Sequence, residues 1–283
     1  MRRLAAIRFL LTLLAAGFWC TPAVADIPLE LNGEFRQGAL VVGQTAAGAE
    51  VAFAGEQVRV SPQGHFLIGF HRDEPATREL QIRTPTGETK TRTLEIEPRD
   101  YHVQRIDGLP DDQVTPPDDV LDWIQRDVRL VNEARARDDA RTDFLGDFIQ
   151  PVEGRLTGVY GSQRILNGEP RRPHYGVDIA APQGTPIRAP AAGEVTLAQG
   201  DMYFSGGTMV IDHGHGLTTS YLHMSAFHVE VGDRVEQGHV VGEVGATGRA
   251  TGPHLCWRVN LFDRRLDPSF LVPDMPVRDR PGS

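Results

Sequence analysis

The chain is poor in cysteine, with only Cys20 and Cys256 in 283 residues. So few thiols exclude a disulfide-stapled scaffold. Excess positive charge is also missing. The formal balance is −9, which argues against holding nucleic acid or an anionic membrane by bulk charge. No apolar run is long enough for a comfortable bilayer span; the stretch from Phe9 to Trp19 falls short. Internal repeats and low-complexity tracts are absent. What remains is an ordinary globular composition, 40% apolar and 24% charged, in a chain long enough for two modest domains or one large one.

The short apolar run has a meaning of its own. Arg2, Arg3 and Arg8 flank its start, and Ala23-Val24-Ala25 has the small-x-small form of a signal-peptidase site. Residues 1–25 are therefore expected to be a signal peptide, with cleavage near Ala25/Asp26. Lipidation at Cys20 is the rival, although Gly17-Phe18-Trp19 is not the usual small-residue approach to a lipid-modified cysteine. The leader holds three arginines and no acid, so its removal takes the charge from −9 to −12. It also leaves Cys256 as the single cysteine. A lone thiol in an oxidising compartment needs a reason other than pairing. The expected location is periplasmic or extracellular, with no membrane attachment after cleavage.

Residues 26–107 read as a small β-sandwich-like domain. Short apolar runs such as Ala39-Leu40-Val41-Val42 and His65-Phe66-Leu67-Ile68 are separated by turn residues. Leu80-Gln81-Ile82 and Leu94-Glu95-Ile96 alternate as half-buried strands do. A structural or spacing role and a binding role both remain open for this part. Residues 108–149 form a linker. Thr115, the following prolines and Asp118 are a helix start signal. Leu121, Ile124, Val128 and Val131 make one apolar stripe, predicting a helix over about 118–141 that packs this stripe on a neighbour. Residues 150–272 return to short strands and tight Gly/Pro turns, as antiparallel sheets do. Residues 273–283 are a tail.

The chemistry-bearing side chains gather in the last region. Seven of the ten histidines lie there: His174, His213, His215, His223, His228, His239 and His254. His174 and Asp178 are four positions apart, at a loop entering a strand. His254 and Cys256 are two apart on an extended segment, so they face one way. Imidazole, carboxylate and thiolate are zinc's ligand types.

Several blocks in order carry a resemblance. They are Tyr160-Gly161-Ser162-Gln163-Arg164, His174-Tyr175-Gly176-Val177-Asp178, Ile211-Asp212-His213-Gly214, Tyr221-Leu222-His223-Met224, Thr251-Gly252-Pro253-His254-Leu255 and Leu266-Asp267-Pro268. Over about two fifths of the chain, from Gly154 to Pro268, they resemble the lysostaphin/LytM-type zinc metallopeptidases that cut peptide bridges of bacterial cell walls. The resemblance implies a mainly β fold whose C-terminal antiparallel domain is of the duplicated hybrid motif type. It also implies one Zn2+ per chain, held by His174, Asp178 and the residue at position 256. His223 and His254 match the histidines that act on water and the tetrahedral intermediate. The implied substrate is a peptidoglycan peptide.

Position 256 departs from the family, which has histidine there. Thiolate is a competent zinc ligand, with a bond of about 2.3 Å against about 2.0–2.1 Å for imidazole. It leaves the site formally neutral where His, His and Asp leave +1, so bound water should be acidified less. Cys256 as a small buried hydrophobe is the alternative. The leading reading is an exported zinc endopeptidase. The other is an impaired LytM-type domain that binds cell wall or activates a separate amidase. Arg164 is a candidate to orient substrate carboxylates, with a structural ion pair as its alternative. His213, in Asp212-His213-Gly214-His215-Gly216, is a candidate groove residue if it is not simply turn chemistry. His228 and His239 read as surface or strand-end residues.

Overall fold

The computed structural model describes residues 27–107 and 117–278. The expected leader with Cys20 and the Ala25/Asp26 junction, Thr115 and the rest of 108–116, and residues 279–283 lie outside the described residues. The fold is mainly β, as expected.

Residues 27–97 form two sheets. One orders Leu29–Asn32, Leu40–Thr45 and His65–Gly69. The other orders Glu56–Val58, Glu50–Phe53, Thr77–Arg83 and Thr89–Glu95. Period-two alternation builds the layer between them. In Thr77–Arg83, Leu80 and Ile82 turn inward while Glu79, Gln81 and Arg83 face water. They join Val41, Phe66, Ile68 and Leu94 in one core cluster, each at most 2% exposed. Burying each such side chain contributes about 1.5–3 kcal/mol.

The helix runs over Leu121–Arg135, after a single 3-10 turn at Asp118–Val120. It stops short of the expected residue 141. Beyond it, Arg137 pairs with Glu194 at 2.7 Å, and Arg141 pairs with Asp139, Asp143 and Asp212. Side chains anchored on the neighbouring sheet replace the helical neighbours that another turn would need.

The packed face also differs from the expected stripe. Leu121 and Val128 are 40% and 49% exposed. Of the stripe, Val131 does pack, joined by Leu130 and Ala134, against Leu197, Met202 and Val210. Polar contacts set this rotation. Trp123 Nε1 donates to Asp201 O at 2.9 Å, and the Tyr203 N–H donates to Asp127 Oδ2 at 2.7 Å.

The C-terminal part is dominated by an eight-stranded sheet. Its order is Arg234–Val235, Gly193–Met202, Gly206–Asp212, Leu217–Met224, His254–Leu261, Val177–Ala180 and Arg155–Gly158, with Arg264–Leu266 paired to His254–Leu261. Every pairing in it is antiparallel. A smaller sheet orders Pro186–Arg188, Val240–Glu243 and Ala226–Phe227. Ile179, Ile187, Val195, Ile211, Leu255 and Trp257 belong to the core shared by the two sheets.

One pairing crosses the expected boundary at 107. Val103–Ile106 pairs in parallel with Gln163–Leu166, so the end of the N-terminal region extends a C-terminal sheet. The two regions also meet through an apolar seam and buried charge. Leu40 and Leu67 belong to the C-terminal core. Arg99 Nη1 lies 2.8 Å from Asp267 Oδ2, with both side chains almost fully buried. Among the described residues, no helix is long and apolar enough to cross a membrane.

Removing one partner of a buried ion pair strands the other. Arg99→Met is expected to lower stability by about 3–5 kcal/mol, read from the urea midpoint. An unchanged midpoint would show that this pair does not join the two regions.

Candidate metal centre

The site starts from strand register. Val177–Ala180 pairs with His254–Leu261 so that Asp178 faces Cys256 and Ala180 faces His254. Val177, Ile179, Leu255 and Trp257 bury the core side of both strands. Alternation then places Asp178, His254 and Cys256 together on the other face. Cys256 also pairs with Leu222, next to His223.

His174 enters from the loop before its strand. Its backbone is held on both sides: its N–H donates to Ser162 O at 2.8 Å, and its carbonyl accepts from the Gly161 N–H at 2.7 Å. Its Nε2 comes to 3.3 Å from Cys256 Sγ and 3.1 Å from Asp178 Oδ1. The ligand atoms of His174, Asp178 and Cys256 all lie within 4.8 Å of one another.

Glycine makes room for the carboxylate. Gly158 sits opposite Asp178 on the adjoining strand. A Cβ there would lie 2.1 Å from Asp178 Oδ2, a separation no side chain tolerates.

Three imidazoles are oriented in the same way. Nδ1 of His174 lies 3.2 Å from Val159 O, Nδ1 of His223 2.8 Å from Thr247 O, and Nδ1 of His254 2.8 Å from Gly252 O. A carbonyl only accepts, so each Nδ1 carries a hydrogen and each Nε2 is the ring atom turned toward the site. The rings of His223 and His254 are 4.7 Å apart, and His254 Nε2 is 3.8 Å from Asp178 Oδ1.

His223 reaches this place through a backbone irregularity. The register slips between Gly207 and Met209, so Leu222 and His223 together face Thr208. His223 takes φ 68°, a left-handed conformation uncommon for a residue with a Cβ. Thr247 braces the bulge. Its hydroxyl donates to Met224 O at 2.9 Å and accepts from the Gly207 N–H at 2.8 Å.

The electrostatics act within the same cluster. Burial alone would lower the pKa of His174, but Cys256 and Asp178 outweigh it and raise it to about 10. Burial opposes ionisation of Asp178, yet His174 and then His254 hold it well below the usual carboxylate range. Burial lowers the pKa of His223, which leaves that ring neutral at pH 7.

These residues fit a metal ion. Bonds of about 2.0–2.3 Å to a tetrahedral zinc imply ligand-to-ligand edges of roughly 3.3–3.7 Å, near the 3.1 and 3.3 Å found here. The nitrogen, oxygen and sulfur donor set is one that zinc accepts. Cys256 faces a polar pair, which a purely apolar role would not require.

Two other expected site residues lie elsewhere. His213 does not line a groove. It is fully buried, with Nδ1 2.6 Å from Ala192 O, Nε2 2.8 Å from Thr219 Oγ1 and its ring against Phe148. The turn glycines around it carry the chain into the core, so its block packs the interior. Arg164 is exposed on Gln163–Leu166 and makes no ion pair among the described residues. His228 pairs with Glu243 at 3.3 Å near the surface. Sequence reasoning missed Gly158 and Thr247, whose signals are a missing side chain and a bulge brace rather than reactive chemistry. It also missed the arginines beside His223.

Comparison with known proteins follows the same region. The Peptidase family M23 pattern matches residues 172–268. A crystal structure assigned to peptidase M23 from Pseudomonas aeruginosa superposes with a TM-score of 0.64 at 30% identity, covering 84% of this chain and 95% of that one. The DD-carboxypeptidase/endopeptidase Mpg of Neisseria meningitidis serogroup B is 44% identical over 136 residues, 47% of this chain and 31% of that protein. The peptidoglycan DD-endopeptidase ShyA of Vibrio cholerae is 41% identical over 135 residues, 44% of this chain and 31% of that protein. The chain thus spans about a third of the length of these curated relatives.

Gly158→Ala is expected to push the Asp178 carboxylate aside and weaken zinc binding by about 10- to 100-fold, with the far-ultraviolet spectrum unchanged. Competition with a chromophoric chelator reads this directly. Undiminished affinity would remove Asp178 from the ligand set.

Proposed function

Because the chain belongs to peptidase family M23, we propose that it is an exported zinc endopeptidase that hydrolyses peptide cross-links of bacterial peptidoglycan. The observation that carries this reading is the convergence of His174, Asp178 and Cys256 beside two imidazoles whose Nδ1 atoms are committed to backbone carbonyls, which turns their Nε2 atoms to the site. The names of the Neisseria and Vibrio relatives supply the bond class. Export rests on the expected leader at 1–25.

His174, Asp178 and Cys256 would hold the ion. Bound there, zinc would polarise the scissile carbonyl and acidify a water molecule. The thiolate and carboxylate together cancel a divalent charge, so this site is less electrophilic than one with two imidazoles and a carboxylate.

The imidazoles carry the proton. Nε2 of His254 accepts it from the attacking water as the new C–O bond forms. Asp178 Oδ1 at 3.8 Å stabilises the resulting imidazolium. The same proton then passes to the leaving amine as the C–N bond breaks. His223 starts as an acceptor too, since its Nδ1–H is committed to Thr247. It becomes a donor to the oxyanion only after it gains a proton.

The mature chain is expected to purify with close to one zinc per chain and to release soluble muropeptides from purified sacculi. Zinc near zero together with no release would overturn the enzyme reading and leave a cell-wall-binding domain or an amidase activator. Cys256→His makes a separate prediction. It adds one positive charge to the loaded site, so cleavage of sacculi should be kept or raised. Loss of cleavage with zinc retained would mean that the pocket is built for sulfur.

A further inference from the structure

A groove of about 290 Å³ opens beside His223, between the Leu121–Arg135 helix and the eight-stranded sheet. Five arginines line it: Arg135, Arg172, Arg249, Arg258 and Arg265. They come from the helix, from the loop before His174, from the loop after Thr247 and from two strands, so no single stretch of sequence displays them. None forms an ion pair with a carboxylate among the described residues. The one acid in the lining, Asp127, is engaged by Arg126 and the Tyr203 N–H.

Arg135 is the sharpest case. It is 8% exposed, and its Nη2 donates to Ser220 Oγ at 2.9 Å, but its Nε has no acceptor. Nε of Arg258 is likewise buried without one. The charges surrounding Arg135 are themselves cations. Burial first, then Arg265, Arg258 and Arg172, lower its pKa to about 9. Burial and then Arg172 and Arg258 lower that of Arg265 to about 10. Both stay charged at neutral pH. A chain of net charge −9 thus gathers five guanidinium groups in one groove without a counter-charge. Such an arrangement is unfavourable unless an anion completes it.

We propose that this groove is a carboxylate-binding subsite that takes an acidic peptide alongside the candidate metal centre; it rests on the peptidase reading only for the identity of that peptide as a cell-wall stem. Guanidinium forks match carboxylates in shape and charge. Ile124, Val128 and Val131 on the helix wall accept the aliphatic parts of such a chain. The distance sets the register. Arg258 follows Cys256 by two residues on the same face of one strand, and Ser220 beneath Arg135 pairs with Arg258. Two strand residues span roughly 6.6–6.8 Å. An extended peptide bound along this face would place the recognised carboxylate about two residues from the bond that is cut.

The test compares a synthetic cross-linked stem-peptide dimer bearing free carboxylates with the same dimer converted to carboxamides. Binding is measured by calorimetry to the full mature chain, zinc-loaded and carrying His254→Ala to stop turnover. The carboxamide is expected to bind roughly 10- to 100-fold more weakly, the factor for lost charge-assisted hydrogen bonds, and affinity for the acid should fall as salt rises. Arg258→Gln should erase most of the difference between the two peptides. So should Arg172→Gln, at an exposed position where folding is not at stake. Equal affinities, no binding of either peptide, or discrimination that survives both variants would overturn the proposal. Discrimination in this assay, with the wild-type mature chain purifying without zinc and releasing no muropeptides, would sink the peptidase reading alone. Cleavage of sacculi with equal affinities would sink this subsite alone.

Discussion

The register between Val177–Ala180 and His254–Leu261 is the constraint on which the site depends. It sets Asp178 against Cys256 and Ala180 against His254. Trp257, Leu255, Ile179 and Val177 fix it by filling the core side of both strands. A slip of one residue would bury the carboxylate and expose the apolar row, so the hydrophobic core and the candidate metal-binding face enforce one another. The same face continues to Arg258, which links the candidate metal centre to the groove beside it.

Around that pair, the chain places its histidines through backbone oxygens. Three carbonyls take three Nδ1 hydrogens and turn three Nε2 atoms inward. Rigid strands and bulges hold those carbonyls, which is how a loop residue such as His174 acquires a fixed direction. The N-terminal region contributes to this support. Arg72 Nε donates to Gly161 O at 2.9 Å, and its guanidinium lies over the Tyr101 ring at 4.3 Å. Gly161 in turn holds the backbone of His174. A region whose sequence reads only as a small β unit therefore braces the loop that carries a candidate ligand.

Cys256 and the arginine groove change the charge around a familiar arrangement. In the proposed enzyme a Cys256 thiolate would remove positive charge from the metal position, while five guanidiniums line the groove beside His223. These groups separate two tasks. The neutral site performs chemistry on an uncharged amide, and the cationic groove holds the anionic parts of the peptide. Helix rotation makes this possible. Asp127, tied to the Tyr203 N–H, and Trp123, tied to Asp201 O, turn Ile124 and Val128 toward the groove rather than into the core.

Much of the architecture was legible from residue order alone. Alternation in Leu80-Gln81-Ile82 placed a strand and its buried face, and the blocks around His174, Asp178, His223 and His254 named the candidate site. Those signals are local, since each depends on spacing within a few residues. The helix end at Arg135 was not legible, because the ion pairs that stop it lie on strands far along the chain. His213 looked like a groove residue because a turn sequence does not say which way the turn faces. The five arginines come from separate elements, and no spacing announces that they meet. Chemistry and periodicity are properties of neighbouring residues, so the amino-acid order carries them unaided. Direction, burial and the gathering of like charges depend on which distant segments pack together, and that was settled only when the sheets closed.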